Sequence, residues 1–117
     1  VKHSPEIGRF SRAVEEFRKI DPEIQAQTIL TFVLTMQSSG KLTVKDIATK
    51  LGIAQSSASR NVAALSKIHR KGRPGHDLIR AMENPMDRRE KFVELTPKGI
   101  RVAATIDEIL TVDRRPS

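Results

Sequence analysis

Hydrogen-bonding and cationic side chains crowd one stretch of this chain: Gln55, Ser56, Ser57, Ser59, Arg60, Lys67, Arg70, Lys71 and Arg73. Serine hydroxyls and a glutamine carboxamide can donate to or accept from base edges, while lysine and arginine bring positive charge to phosphate. No acidic residue stands between Asp46 and Asp77. A solvated surface usually mixes signs, so a one-signed segment suits an anionic polymer. A second basic group follows at Arg88, Arg89 and Lys91. Asp87 is placed to hold one of the two arginines, and Arg89 is expected to be the one that points outward.

Catalytic and metal chemistry find little footing. The histidines are His3, His69 and His76, and cysteine is absent. A thiolate or Cys-ligated metal site is therefore excluded, and no disulfide framework is possible. No serine has a visible His/Asp partner arrangement, and no phosphate-cradling glycine loop occurs. The paired acids Glu15-Glu16 and Asp107-Glu108 suit solvated helix faces. No enzyme activity, metal or cofactor is expected.

The elements that would position the polar cluster are legible from Thr43 to Lys71. Thr43 and Asp46 stand in capping-box spacing, and Val44, Ile47, Ala48 and Leu51 share a helical face. Gly52 can take positive φ and end that helix, and Ile53 returns to the core. A second helix opens at Gln55, with Ala58, Val62 and Leu65 as its buried stripe and the serines and Arg60 outside. This is a helix-turn-helix pattern, although an ordinary helical hairpin gives the same apolar periodicity. Ile47, Leu51, Ile53, Ala58, Val62 and Leu65 are expected to be buried.

Ser4-Pro5-Glu6, Asp21-Pro22-Glu23 and Thr96-Pro97 read as helix starts. The helices predicted are about 5–20, 22–38, 44–51, 55–71 and 97–112. Lys41-Leu42 is a candidate very short strand. The glycines and proline of residues 71–75 break the fourth helix. Two strands, Asp77–Met82 and Lys91–Leu95, then form a hairpin, a wing spanning 77–95 with a basic tip. The fold class is α+β, mostly α: one winged helix-turn-helix domain over residues 1–117.

The bulk numbers agree with one small domain. The chain has 117 residues, with 21 Lys+Arg against 14 Asp+Glu, a net charge of +7. That excess favours an anionic partner without naming it. Only four aromatic residues occur, all phenylalanine, which argues against binding single strands by base stacking. No run is long enough to span a membrane and no signal peptide is visible, so a cytoplasmic protein is expected. Ile7, Phe10, Val14 and Phe17 form one apolar stripe and Ile100, Ile106 and Leu110 another. They are expected to meet across a two-fold axis.

The order of elements and several local motifs resemble the MarR-type winged-helix transcription regulators. The residues that carry the likeness are Leu42-Thr43-Val44-Lys45-Asp46-Ile47-Ala48, Leu51-Gly52-Ile53 and Gln55-Ser56-Ser57-Ala58-Ser59-Arg60. Asp87-Arg88-Arg89 and Leu95-Thr96-Pro97-Lys98-Gly99 complete it, and the likeness runs from about residue 24 to 112. It implies a sequence-specific, repressor-like homodimer on double-stranded DNA, joined through its N- and C-terminal helices. The recognition helix would enter the major groove, with Gln55, Ser56, Ser57, Ser59 and Arg60 on the DNA side. Arg89 would reach the minor groove, and Asp87 would brace the wing by pairing with a nearby arginine.

The chain departs from that family at three places. Arg73-Pro74-Gly75-His76-Asp77 intervenes before the wing, where it can shift the hairpin. Asn61 stands where the family is often apolar, which raises the expectation of a partner or a bend. The N-terminal helix is short and a long final helix is missing, so a small-molecule effector is not an expectation. The rival reading is a winged helix used for protein contact, as in an assembly or replication module of phage or plasmid origin.

Overall fold

The computed structural model describes residues 4–67 and 72–111. Its elements are α1 (Pro5–Ile20), α2 (Ala26–Met36), α3 (Val44–Leu51), α4 (Gln55–Leu65), β1 (Ile79–Asn84), β2 (Asp87–Leu95) and α5 (Pro97–Leu110). The two strands pair antiparallel as a single hairpin. Among the described residues this is the expected order of helices and wing.

Local capping explains most helix starts. The Ser4 hydroxyl accepts from the Ile7 amide at 3.2 Å and opens α1. Thr43 Oγ1 accepts from Asp46 N, and Asp46 Oδ2 accepts from Thr43 N, both at 3.0 Å, so the capping box of α3 is complete. Gly52 ends α3 at φ 65°, where a Cβ would be strained. Thr96 Oγ1 accepts from Gly99 N at 3.0 Å and opens α5.

Two helices are shorter than their sequence pattern. The helix expected from residue 22 begins at Ala26, because Asp21 folds the chain into a turn first. Asp21 Oδ1 accepts from Glu23 N at 2.9 Å and the Asp21 carbonyl accepts from Ile24 N at 3.0 Å. Pro22 therefore lies in that turn and not in the first helical turn. Of the expected helix 55–71, Gln55–Leu65 is helical and Ser66 and Lys67 are not, while residues 68–71 lie outside the described residues. The chain returns across its end, and four amides take its last carbonyls. They are Gly75 N to Lys67 O at 2.9 Å, His76 N to Ala64 O at 3.2 Å, Asp77 N to Ser66 O at 3.2 Å and Leu78 N to Leu65 O at 2.7 Å. The same clasp holds the Arg73–Asp77 insertion against the helix.

The core joins all these pieces. Phe32, Ile47, Leu65, Leu78, Ile79 and Val93 are fully buried, and Phe17 meets Phe32 edge to face at 5.7 Å. Ala58 and Val62 are buried as expected, whereas Leu51 and Ile53 are half-buried at the turn. The first helix thus commits Phe17 and Ala13 to the chain's own core, and α5 commits Ile106. Ile7, Phe10, Ile100 and Leu110 stay exposed.

The wing pairs further toward its tip than expected. The strands are not 77–82 and 91–95: Asp77 sits at φ 56° and is no strand residue, while all of the expected linker but Pro85 and Met86 lies within the strands. The register runs from Ile79 opposite Leu95 to Glu83 opposite Lys91, then jumps to Asn84 opposite Asp87. That jump leaves Arg88, Arg89 and Glu90 as extra residues in a bulge of β2. The expected short strand at Lys41-Leu42 is reduced to a bridge between Thr43 and Phe92, with Val93 N donating to Leu42 O at 2.8 Å.

Candidate nucleic-acid interface

The helix-turn-helix presents its polar edge outward. Gln55, Ser56, Ser59 and Arg60 are exposed at the start of α4, and Ser57 is half-buried. Arg60 Nη2 donates to Ser57 Oγ at 3.1 Å, one turn earlier on the same helix, which holds the guanidinium along the outer face. The residue before α4 is Ala54, so no side chain caps the helix and its first amides are left to an outside acceptor.

Asn61 has the partner its polarity called for. It is buried, and its Oδ1 accepts from Thr28 Oγ1 of α2 at 2.9 Å. Its Nδ2 donates to Gln27 Oε1 at a longer 3.4 Å. The buried apolar positions of α4, Ala58, Val62 and Leu65, carry no directional preference against a neighbouring helix; this hydrogen bond to α2 adds one.

The wing rises beside this edge. Gln55, Lys45 and Thr43 of the helix-turn-helix line one open cleft with Asp87, Arg89 and Lys91 of the hairpin. Asp87 Oδ1 accepts from Arg89 N at 3.0 Å and from Arg89 Nε at 3.2 Å. The backbone bond first, and the guanidinium second, hold the Asp87 carboxyl below the usual carboxylate range. Asp87 therefore pairs within the wing, and its partner is Arg89, the arginine expected to be unpaired. The bulge turns Arg89 back over Asp87. Arg88 has no ion pair among the described residues. Both arginines remain exposed, with the Arg89 side chain 91% accessible.

Of the other cationic positions, Lys67 and Arg73 are exposed, one at the end of α4 and one on the insertion. Arg70 and Lys71 lie outside the described residues. Lys45 and Lys91 join the cleft although sequence reasoning did not place them in the site. For Lys45 the available signal was its place in the first turn of α3, beside the cap. No group of three or more His, Asp or Glu among the described residues is arranged to hold a metal ion. Among the same residues, no helix is long and apolar enough to cross a membrane.

A helix-turn-helix whose fourth helix and following hairpin line one cleft is the architecture of a winged helix. The chain belongs to the winged helix DNA-binding domain family, whose model matches residues 25–99. Its fold is that of the MarR-type regulators. It is similar to MepR of S. aureus, solved as a DNA complex, at 23% identity and a TM-score of 0.68, covering 85% of this chain and 73% of that one. It is similar to RV1404 from Mycobacterium tuberculosis at 25% identity and 0.65, covering 86% and 63%. A MarR-family transcriptional regulator from Rhodococcus sp. RHA1 aligns at 15% identity and 0.63, covering 87% and 64%. This chain thus spans about two thirds to three quarters of their lengths. No curated protein sequence gives a significant match.

Proposed function

We propose that this domain is a transcription regulator that binds double-stranded DNA in a sequence-specific, repressor-like manner as a homodimer. The observation that carries this reading is the shared cleft, where the uncapped start of α4 meets the wing that bears Arg89 and Lys91. Gln55 and Arg60 read base edges in the major groove, and Ser56, Ser57 and Ser59 bond to bases or phosphates. Lys67 and Arg73 meet phosphate, as do Arg70 and Lys71. Arg88 and Arg89 enter the minor groove, with Asp87 aiming the Arg89 guanidinium. MepR, a DNA-bound structural neighbour, supports the duplex as ligand.

The exposed residues Ile7, Phe10, Ile100 and Leu110 support a partner surface on α1 and α5. A two-fold axis there lets both recognition helices address one face of the duplex.

Selection from random duplex DNA, read by sequencing, tests the main reading and is expected to enrich a pseudo-palindromic site. Arg60→Ala should weaken that site while leaving Tm unchanged. Arg89→Ala should lose more affinity on A·T-rich flanks than on G·C-rich ones, because a narrow minor groove concentrates negative potential. No enrichment, together with a salt slope near zero, would favour the protein adaptor instead. Sedimentation equilibrium that shows only monomer at tens of micromolar, with and without the site, would remove the homodimer.

A further inference from the structure

The wing tip carries an apolar side chain that the arginine account leaves unused. Met86 is 92% exposed, the highest value among the large apolar residues described. It shares the two-residue turn of the hairpin with Pro85, which is also exposed. Exposure alone would leave Met86 as an incidental loop residue. The turn around it is not a loose loop. Asn84 Oδ1 accepts from Met86 N at 2.9 Å and Asn84 Nδ2 donates to Glu90 Oε2 at 3.4 Å. On the other side, Asp87 is tied to Arg89. The apolar tip is therefore cross-braced from both strands and flanked by two exposed guanidiniums.

We propose that Met86, backed by Pro85, is a wedge that enters the minor groove and partly unstacks one base step beyond the recognition-helix contacts. This rests on the DNA-binding reading above. Glu83, Asp87 and Glu90 balance Arg88, Arg89 and Lys91 at the tip, but Arg88 has no ion pair among the described residues and the Arg89 side chain stays 91% accessible. A partner that buried Met86 would have to desolvate both guanidiniums, whereas phosphates on the two groove walls meet them, which favours DNA over an apolar protein partner. Methionine is unbranched and polarisable, so it can slide between base edges. Unstacking costs least at pyrimidine–purine steps, so the wedge would select a flexible step at a fixed distance from the major-groove contacts. Met86 becomes a specificity determinant that makes no hydrogen bond to a base.

The test uses the full chain and the most enriched duplex from random selection, with 2-aminopurine placed in turn at each flanking adenine. The parent is expected to raise 2-aminopurine fluorescence at one flanking step, and Met86→Leu to retain that signal. Met86→Ala and Met86→Gln, the latter of similar length but polar, should lose the signal and bind roughly tenfold more weakly. Because Met86 touches solvent, Tm should be unchanged in all three. Binding by the parent with no flanking step unstacked, or an undiminished signal in M86A and M86Q, would overturn the wedge and leave the DNA reading standing. Failure of the parent to bind any duplex would overturn both.

Discussion

The hydrogen bond between Asn61 and Thr28 makes a quantitative prediction about what holds the recognition helix in place. Both residues are buried, and the bond spans α2 to α4 at 2.9 Å. Asn61→Leu removes the acceptor and leaves the Thr28 hydroxyl buried beside a hydrocarbon. An orphaned buried donor costs about 1–3 kcal/mol. The carbonyl four residues back, which Thr31 and Thr35 use, is for Thr28 that of Ile24, which lies before the helix, so the same substitute is not open to it. The middle of that range, about 2 kcal/mol, is the expected cost. Unfolding entropy is about 2.1 cal/mol/K per residue, so a chain of 117 residues should lose about 8 °C of Tm. Thr28→Val should cost a similar amount for the complementary reason. The double variant replaces both partners by apolar groups and should fall short of the sum by about 1 kcal/mol or more. Thermal and urea unfolding of the four proteins of the cycle measure this directly. Strict additivity, or an Asn61→Leu variant within about 0.5 kcal/mol of the parent, would show that the bond fixes nothing.

Three further outcomes follow from the geometry. Gly99→Ala should destabilise by about 1–3 kcal/mol in urea melts, because its Cβ would lie 1.9 Å from the Leu78 carbonyl oxygen. Arg73→Ala should lower the salt slope of duplex binding by about one and weaken random and selected sequences alike, as a phosphate contact would. Asp87 should titrate below an ordinary aspartate when followed by carboxyl NMR. Its lowered value means the brace is intact above the unfolded-state pKa and is lost only as pH falls through the lower folded-state value. Arg89→Ala should raise that midpoint only in part, since the Arg89 amide remains as the larger cause.

What was legible in the sequence was what neighbouring residues decide among themselves. The cap at Thr43 and Asp46, the left-handed Gly52 and the start at Ser4-Pro5 are contacts within four residues, and all were readable. The end of α4 was not, because residues 75–78 terminate it from outside the helical pattern. The wing's length is hidden for a related reason: residues 83–90 have the polarity of a linker, yet a solvent-facing hairpin needs no apolar alternation. The choice between Arg88 and Arg89 turned on a bulge that composition does not encode. Asn61 stands out in the sequence as a polar residue at an apolar position, but its partner lies 33 residues away on another helix.

The clasp across the end of α4 has a mechanical meaning. The hairpin is a lever whose arm, at about 3.3 Å for each of the five steps from Ile79 to Asn84, is roughly 17 Å long. Its fulcrum is the short segment from Gly75 to Leu78, pinned to α4 on one side and pressed by Gly99 on the other. A tilt of only about 5° at that fulcrum would swing the tip by about 1.5 Å, enough to stretch a hydrogen bond beyond its working range. Glycine at 75 and 99 therefore sets the aim of side chains at the far end of the arm. A methyl group added at the fulcrum would spoil contacts that it never approaches.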